Sequence, residues 1–215
     1  MKAVWFTSPY RVVTISVINV MLTVLALIIM LSNRGISERT AAASLLVLSF
    51  MIFFVAGVLF TGRALWKWEI KNLSTYMLWE RSLVIVPTVT TSLGLVLLSD
   101  LLNAGGDTFL ARFGTTAYLF GAVMVVSAET SFISKGEWNT VQVILYVVLA
   151  LLGQAAIGAA LLQTGLTAAW VGWLTIIWNV GFLLIFIIAR PREVYYPAIH
   201  FFAPLVIGLG LAAVM

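Results

Sequence analysis

The apolar residues of this chain come in runs of about twenty, and no other feature limits the fold as much. A helix rises about 1.5 Å per residue, so a run of that length spans the roughly 30 Å of hydrocarbon in a bilayer. Seven segments meet the rule: 12–31, 41–65, 82–102, 113–133, 141–163, 168–189 and 198–215. With 62% hydrophobic and 9% charged residues, the chain cannot cover a water-facing surface, which takes roughly 25% charged residues. Backbone groups in hydrocarbon must pair within their own segment, so continuous helices are expected. The alternating runs of about ten residues that build a membrane barrel are absent. The expected fold is all-α: a single polytopic transmembrane bundle over residues 1–215 with about seven spans.

Charge sets the orientation. Nine Lys and Arg residues (Lys2, Arg11, Arg63, Lys67, Lys71, Arg81, Lys135, Arg190 and Arg192) fall on the N-terminal side of the bilayer, against three (Arg34, Arg39 and Arg112) on the other. The positive-inside rule then puts the N-terminus in the cytoplasm and, after seven crossings, the C-terminus outside. That makes a multi-pass protein of the plasma (cytoplasmic, or inner) membrane. The final segment is the shortest; lying in the interface instead, it would leave six spans and turn the C-terminus inward. The first run, from Val12 to Leu31, is too long for a signal-peptide core, and Ser32-Asn33-Arg34 is no small-x-small cleavage site. It is expected to be a retained helix. The longest connector, 66–80, places Ile70, Leu73, Tyr76 and Met77 at helical spacing beside Lys67 and Lys71, which predicts a short helix lying in the interface. Its Trp66, Trp68, Tyr76 and Trp79 fit an aromatic belt, joined by Tyr195 and Tyr196.

Several chemistries are excluded by inventory. There is no cysteine, which removes disulfides, thiol catalysis and thiolate metal sites, and the single histidine, His200, rules out a multi-histidine metal or bis-histidine haem site within the chain. No cofactor or metal is expected. The net charge of +4 resides in the loops, so it reads as topology and headgroup contact rather than nucleic-acid binding. No nucleophile elbow, Walker loop, His-Glu-x-x-His or intramembrane aspartate pair occurs.

What the spans do carry is a set of uncharged polar residues near their centres. Asn19 shares a face with Ser16 and Thr23; Thr88, Thr91 and Ser92 share one in the third span; Gln154 is close to the middle of the fifth and Asn179 of the sixth. Two readings compete for this midplane layer. Either the groups bond across helices and specify packing, or they line a cavity for a hydrogen-bonding molecule. Pro87 and Pro204 each remove a helical hydrogen bond, freeing the carbonyls of Leu83 and His200. Both fall in the third helix of a three-plus-one-plus-three division, a layout some small transporters use. Glu129 and His200 are predicted to approach each other at a cytoplasmic mouth, the alternative being a snorkelling or Lys135-paired carboxylate and a helix-capping imidazole. Asp100 and Asp107 are expected to pair with Arg112 on the outer face. Ala155/Ala159, Ala156/Ala160 and Gly208/Ala212 are small-xxx-small pairs that admit close helix approach.

The leading expectation is a small inner-membrane protein that binds or transports a small neutral or lipophilic molecule through a polar midplane cavity. Asn19, Thr88, Thr91, Gln154 and Asn179 would line it, with Glu129 and His200 at its mouth. The rival is a non-catalytic accessory subunit, docked through its apolar surface to a membrane-protein partner or a second copy. A third reading, an intramembrane enzyme acting on lipid with Glu129 and His200 as acid and base, rests on a thin pair of groups.

Overall fold

The computed structural model describes residues 37–64, 66–107, 109–189 and 200–214. The predicted span 12–31, with Asn19, lies outside these, as do Arg190, Arg192, Tyr195 and Tyr196. The described residues form six α-helices: α1 (Glu38–Ala64), α2 (Leu73–Ala104), α3 (Leu110–Lys135), α4 (Thr140–Thr164), α5 (Ala169–Ala189) and α6 (Phe202–Ala212). The first five are long and apolar enough to cross a membrane. Phe54, Val123, Ile144, Ile177 and Ile188 stand exposed on their outer faces, a surface compatible with contact to a lipid bilayer. These are the helices of a membrane protein.

Local chemistry explains where the helices start and stop. The Asn72 side chain accepts from the Thr75 amide at 3.1 Å, and Asn139 from Gln142 at 3.2 Å, capping α2 and α4. Asp107 accepts from the amides of Leu110 and Ala111 at 3.2 and 2.7 Å, covering the start of α3. Its carboxylate is buried in that role, and among the described residues neither Asp100, Asp107 nor Arg112 enters an ion pair. The expected outer-face bridge therefore does not form. Gly136 and Gly165, at φ +72° and +64°, close α3 and α4 in the left-handed conformation that a Cβ disfavours.

One boundary differs from expectation. The separate interfacial helix and the third span beginning at residue 82 are replaced by α2, which runs without a break through 32 residues from Leu73, about 48 Å. Only the stretch from Trp66 to Asn72 is irregular. Asn72 is a sufficient start signal, nothing before Pro87 interrupts the helix, and Glu80 and Arg81 find partners that let them stay in it.

Consecutive helices pack against each other, and α6 returns between α5 and α1 to close a ring. Leu46, Leu95, Leu98, Tyr118, Leu151, Ile157, Phe201 and Leu211 belong to one continuous core. The tightest approach joins α3 and α4: a Cβ on Gly114 would lie 2.5 Å from the Gly153 carbonyl oxygen, and a Cβ on Gly153 would lie 2.5 Å from that of Gly114. Gly208 of α6 likewise sits against the backbone of Ala43 in α1, as its predicted small-residue role requires. In α4, Gly153 and Gly158 also lie against neighbouring backbone, a Cβ on each falling 2.5 and 2.9 Å from the Gly114 and Gly172 carbonyl oxygens.

The two ends of the bundle differ. One carries Arg63, Lys67, Lys71, Arg81 and Lys135 at the α1–α2 and α3–α4 connections, and is called the basic end below. At the other, Arg39 donates to the Leu166 carbonyl at 2.7 Å, tying α1 to the α4–α5 turn.

Gly153→Ala is expected to lower the unfolding temperature in detergent by several degrees, because carbonyl oxygen blocks the new methyl. Gly181→Ala, where a Cβ meets nothing within 4 Å, should leave it unchanged or raise it. Equal effects would show that the α3–α4 contact is slack.

Candidate functional site

The centre of the bundle is organised by a missing amide. Pro204 has no N–H to give the His200 carbonyl four residues earlier, and Gln154 of α4 supplies the replacement, its Nε2 donating to that carbonyl at 3.0 Å. Because Gln154 is well inside the 25-residue α4, this bond fixes His200 and the start of α6 at mid-bundle. Phe201 agrees, stacking at 4.5 Å on Phe53 in the middle of α1. With 11 residues, α6 covers only the half of the bundle away from the basic end, about 16 Å.

From His200 a chain of buried polar groups runs back through three helices. Its ring packs on Tyr146 of α4 at 4.8 Å. Tyr146 and Thr91 of α2 are both within interacting reach of the Tyr118 phenol of α3, although the Tyr118 and Thr91 oxygens reach no full hydrogen-bond geometry. Among the described residues neither nitrogen of His200 has a hydrogen-bond partner, nor does Gln154 Oε1. His200 is 1% exposed and Gln154 0%. Neutral imidazole carries one donor and one acceptor, so at the centre of the bundle at least three hydrogen-bonding atoms have no partner among the described residues. Tyr118 and Tyr146 complete this cluster; spacing alone gives no reason to single them out, since aromatic residues at helical intervals usually belong to the core.

The other predicted layer residues behave differently. Thr88 turns its hydroxyl back on the Val84 carbonyl at 2.8 Å, as Thr90 and Ser92 do on Val86 and Thr88 at 2.9 Å. Asn179 donates at 2.8 Å to Thr175 in its own helix, leaving its Oδ1 and the Thr175 hydroxyl without a partner among the described residues. It lies at the level where α6 begins, since the neighbouring Trp178 rests on Phe202 at 4.1 Å.

Glu129 and His200 are not brought together. The part of α3 that faces Tyr146 is Gly121, where a Cβ would meet the Tyr146 carbonyl at 3.3 Å. Glu129 comes eight residues later, about 12 Å nearer the basic end. There its carboxylate meets Arg81 Nη1 at 3.3 Å, a partner from α2 in place of the expected Lys135. Arg81 also lies 3.8 Å from Glu80, which Arg63 of α1 engages through two hydrogen bonds of 2.8 Å. The Arg81 guanidinium is 4.9 Å from the rings of both Phe132 and Trp138. Glu80 and Glu129 are buried, so the chain Arg63, Glu80, Arg81, Glu129 joins α1, α2 and α3 with charge balanced internally. Its signal in the sequence is an adjacent Glu80-Arg81 pair on a helix that the N-cap Asn72 starts well before residue 82.

Among the described residues no three His, Asp or Glu side chains gather closely enough to hold a metal ion. The central cluster can instead present donors and acceptors, without a fixed charge, in a buried environment. Comparison with protein-family models, with curated proteins and with solved structures finds no match.

Gln154→Leu is expected to cost about 1 to 3 kcal/mol by stranding the His200 carbonyl. On a Pro204→Ala background, where the substituted residue supplies an amide to that carbonyl, the same change should cost measurably less. Equal costs in the two backgrounds, read by reversible unfolding in micelles, would refute the coupling. Arg81→Met should cost about 3 kcal/mol by leaving Glu129 buried and unpaired, and adding Glu129→Gln should recover part of it; no recovery would mean the charge is satisfied elsewhere.

Proposed function

We propose that this protein is a multi-pass membrane protein that binds a small, neutral, hydrogen-bonding molecule at the centre of its helix bundle, among His200, Gln154, Tyr118, Tyr146 and Thr91. The observation that carries the reading is His200, buried at mid-bundle with neither ring nitrogen paired among the described residues. Leaving such groups unmet in a low-dielectric interior costs about 1 to 3 kcal/mol each. A ligand with both a donor and an acceptor removes that cost, and the tyrosine rings around it favour one with an apolar body. Intramembrane polar groups commonly mark the path of a substrate, which extends the proposal from binding to transport.

The same proposal includes seven crossings in all, counting span 12–31 and the stretch ending in α6, with the N-terminus in the cytoplasm, the C-terminus outside and the plasma membrane as location. It draws on the bias of lysine and arginine toward one side. A second reading, the accessory subunit, draws on α5, whose Trp173, Ile177, Val180, Leu184 and Ile188 form an exposed apolar stripe. A stoichiometric partner retained in mild detergent favours the second reading; a monomer carrying a small molecule favours the first.

The test compares wild type with His200→Phe, which keeps ring volume against Tyr146 and removes both nitrogens. Mass spectrometry of small molecules released from the purified protein in nanodiscs should find a species in wild type that the variant lacks. Unfolding temperature confirms that the variant is folded. The same species in equal amount on both proteins, or none on wild type, overturns the proposal.

A further inference from the structure

The end of α1, the irregular stretch before α2 and the first turns of α2 enclose a surface groove of about 490 Å³. Its walls are Val55 and Leu59 on one side and Trp79 and Leu83 on the other, and Trp68, Glu69 and Lys71 stand at its mouth. Val55 lies nine residues before the end of α1, so the groove extends about 13 Å along the helix from the tryptophan-rich basic end toward the middle of the bundle. That is an apolar slot opening at headgroup depth.

The mouth is where the chemistry lies. Glu69 and Lys71 are both exposed, and among the described residues neither enters an ion pair. Of the other charges nearby, Arg63 holds Glu80, and Lys67 is exposed and does not line the groove. Among the described residues, the slot's lining thus offers one anion and one cation outside any ion pair, two residues apart, beside tryptophans, a residue type that favours the membrane interface.

We propose that this groove is a binding site for one zwitterionic phospholipid. Lys71 takes the phosphate, Glu69 takes the headgroup ammonium, and one acyl chain lies between α1 and α2 along Val55, Leu59 and Leu83. An anionic lipid would satisfy Lys71 and leave Glu69 facing like charge, so the pair selects by charge pattern rather than net charge. The inference needs only that these helices lie in a membrane; it does not depend on the central ligand.

The test is native mass spectrometry of the full chain released from nanodiscs holding equal phosphatidylethanolamine and phosphatidylglycerol. Wild type should retain phosphatidylethanolamine in excess. Glu69→Lys should move the bound ratio toward phosphatidylglycerol by about fivefold, the ratio that one surface charge contact corresponds to. Val55→Trp, which fills the slot at an exposed position, should remove the retained lipid, while Phe113→Trp in the separate groove between α3 and α4 should not. Preferential retention of phosphatidylglycerol by wild type, a ratio unmoved by Glu69→Lys, or full retention in Val55→Trp would each overturn the proposal.

Discussion

One hydrogen bond, from Gln154 to the His200 carbonyl, decides the arrangement of the bundle's centre. In hydrocarbon a carbonyl without a donor has no water to turn to, and Pro204 creates such a carbonyl by having no N–H. Meeting the demand from α4 draws the first turn of α6 to mid-bundle. Phe201 then reaches Phe53 and His200 reaches Tyr146. A conventional residue at 204 would offer the His200 carbonyl an amide from its own helix, and Gln154 would no longer be needed as its donor.

The remaining polar groups sort by how far their side chains reach. Thr88, Thr90 and Ser92 are short, and each finds a carbonyl one turn back in its own helix. That bond is cheap to form, needs no neighbour and gives no specificity between helices. Gln154 and His200 are long enough to leave their own helix. Gln154 gives its donor to the His200 carbonyl, and among the described residues its acceptor and both imidazole nitrogens have no partner. Interhelical hydrogen bonds in membranes are worth about 0.6 to 2 kcal/mol, while stranded buried groups cost about 1 to 3 kcal/mol. Counted over the described residues alone, the one structural bond does not offset the three atoms left without a partner.

Much of this is legible in the residues before any geometry. The positions of α1 and α3 to α5 follow from apolar length, and Pro204 identifies the His200 carbonyl as the one needing a partner. Depth is less legible. The length of 198–215 allows a start at the membrane surface, which would place His200 beside Glu129; a helix of 11 residues starting at mid-bundle leaves no trace in hydropathy. Partners across helices are not legible at all. Helical spacing ranks neighbours three and four apart, so Lys135 looks closest to Glu129, whereas Arg81 arrives from 48 residues away. The N-terminal reach of α2 is signalled by Asn72, but aromatic and basic residues give 66–80 the profile of an interfacial segment.

Strength is distributed unevenly along the bundle axis, and the distribution bears on how the centre can work. At the basic end three helices are joined through buried charges, where breaking a pair is costly. At the other end Arg39 reaches across to Leu166, and Gly208 and Gly210 set α6 closely against Ala43 of α1 and Val171 of α5. Between these clamps the described contacts of the midplane are packing, a few neutral hydrogen bonds and stacked rings, each worth about a kcal/mol. Local opening follows the weakest contacts. His200, just ahead of α6, sits in this middle layer, held by the Gln154 bond and the Tyr146 ring.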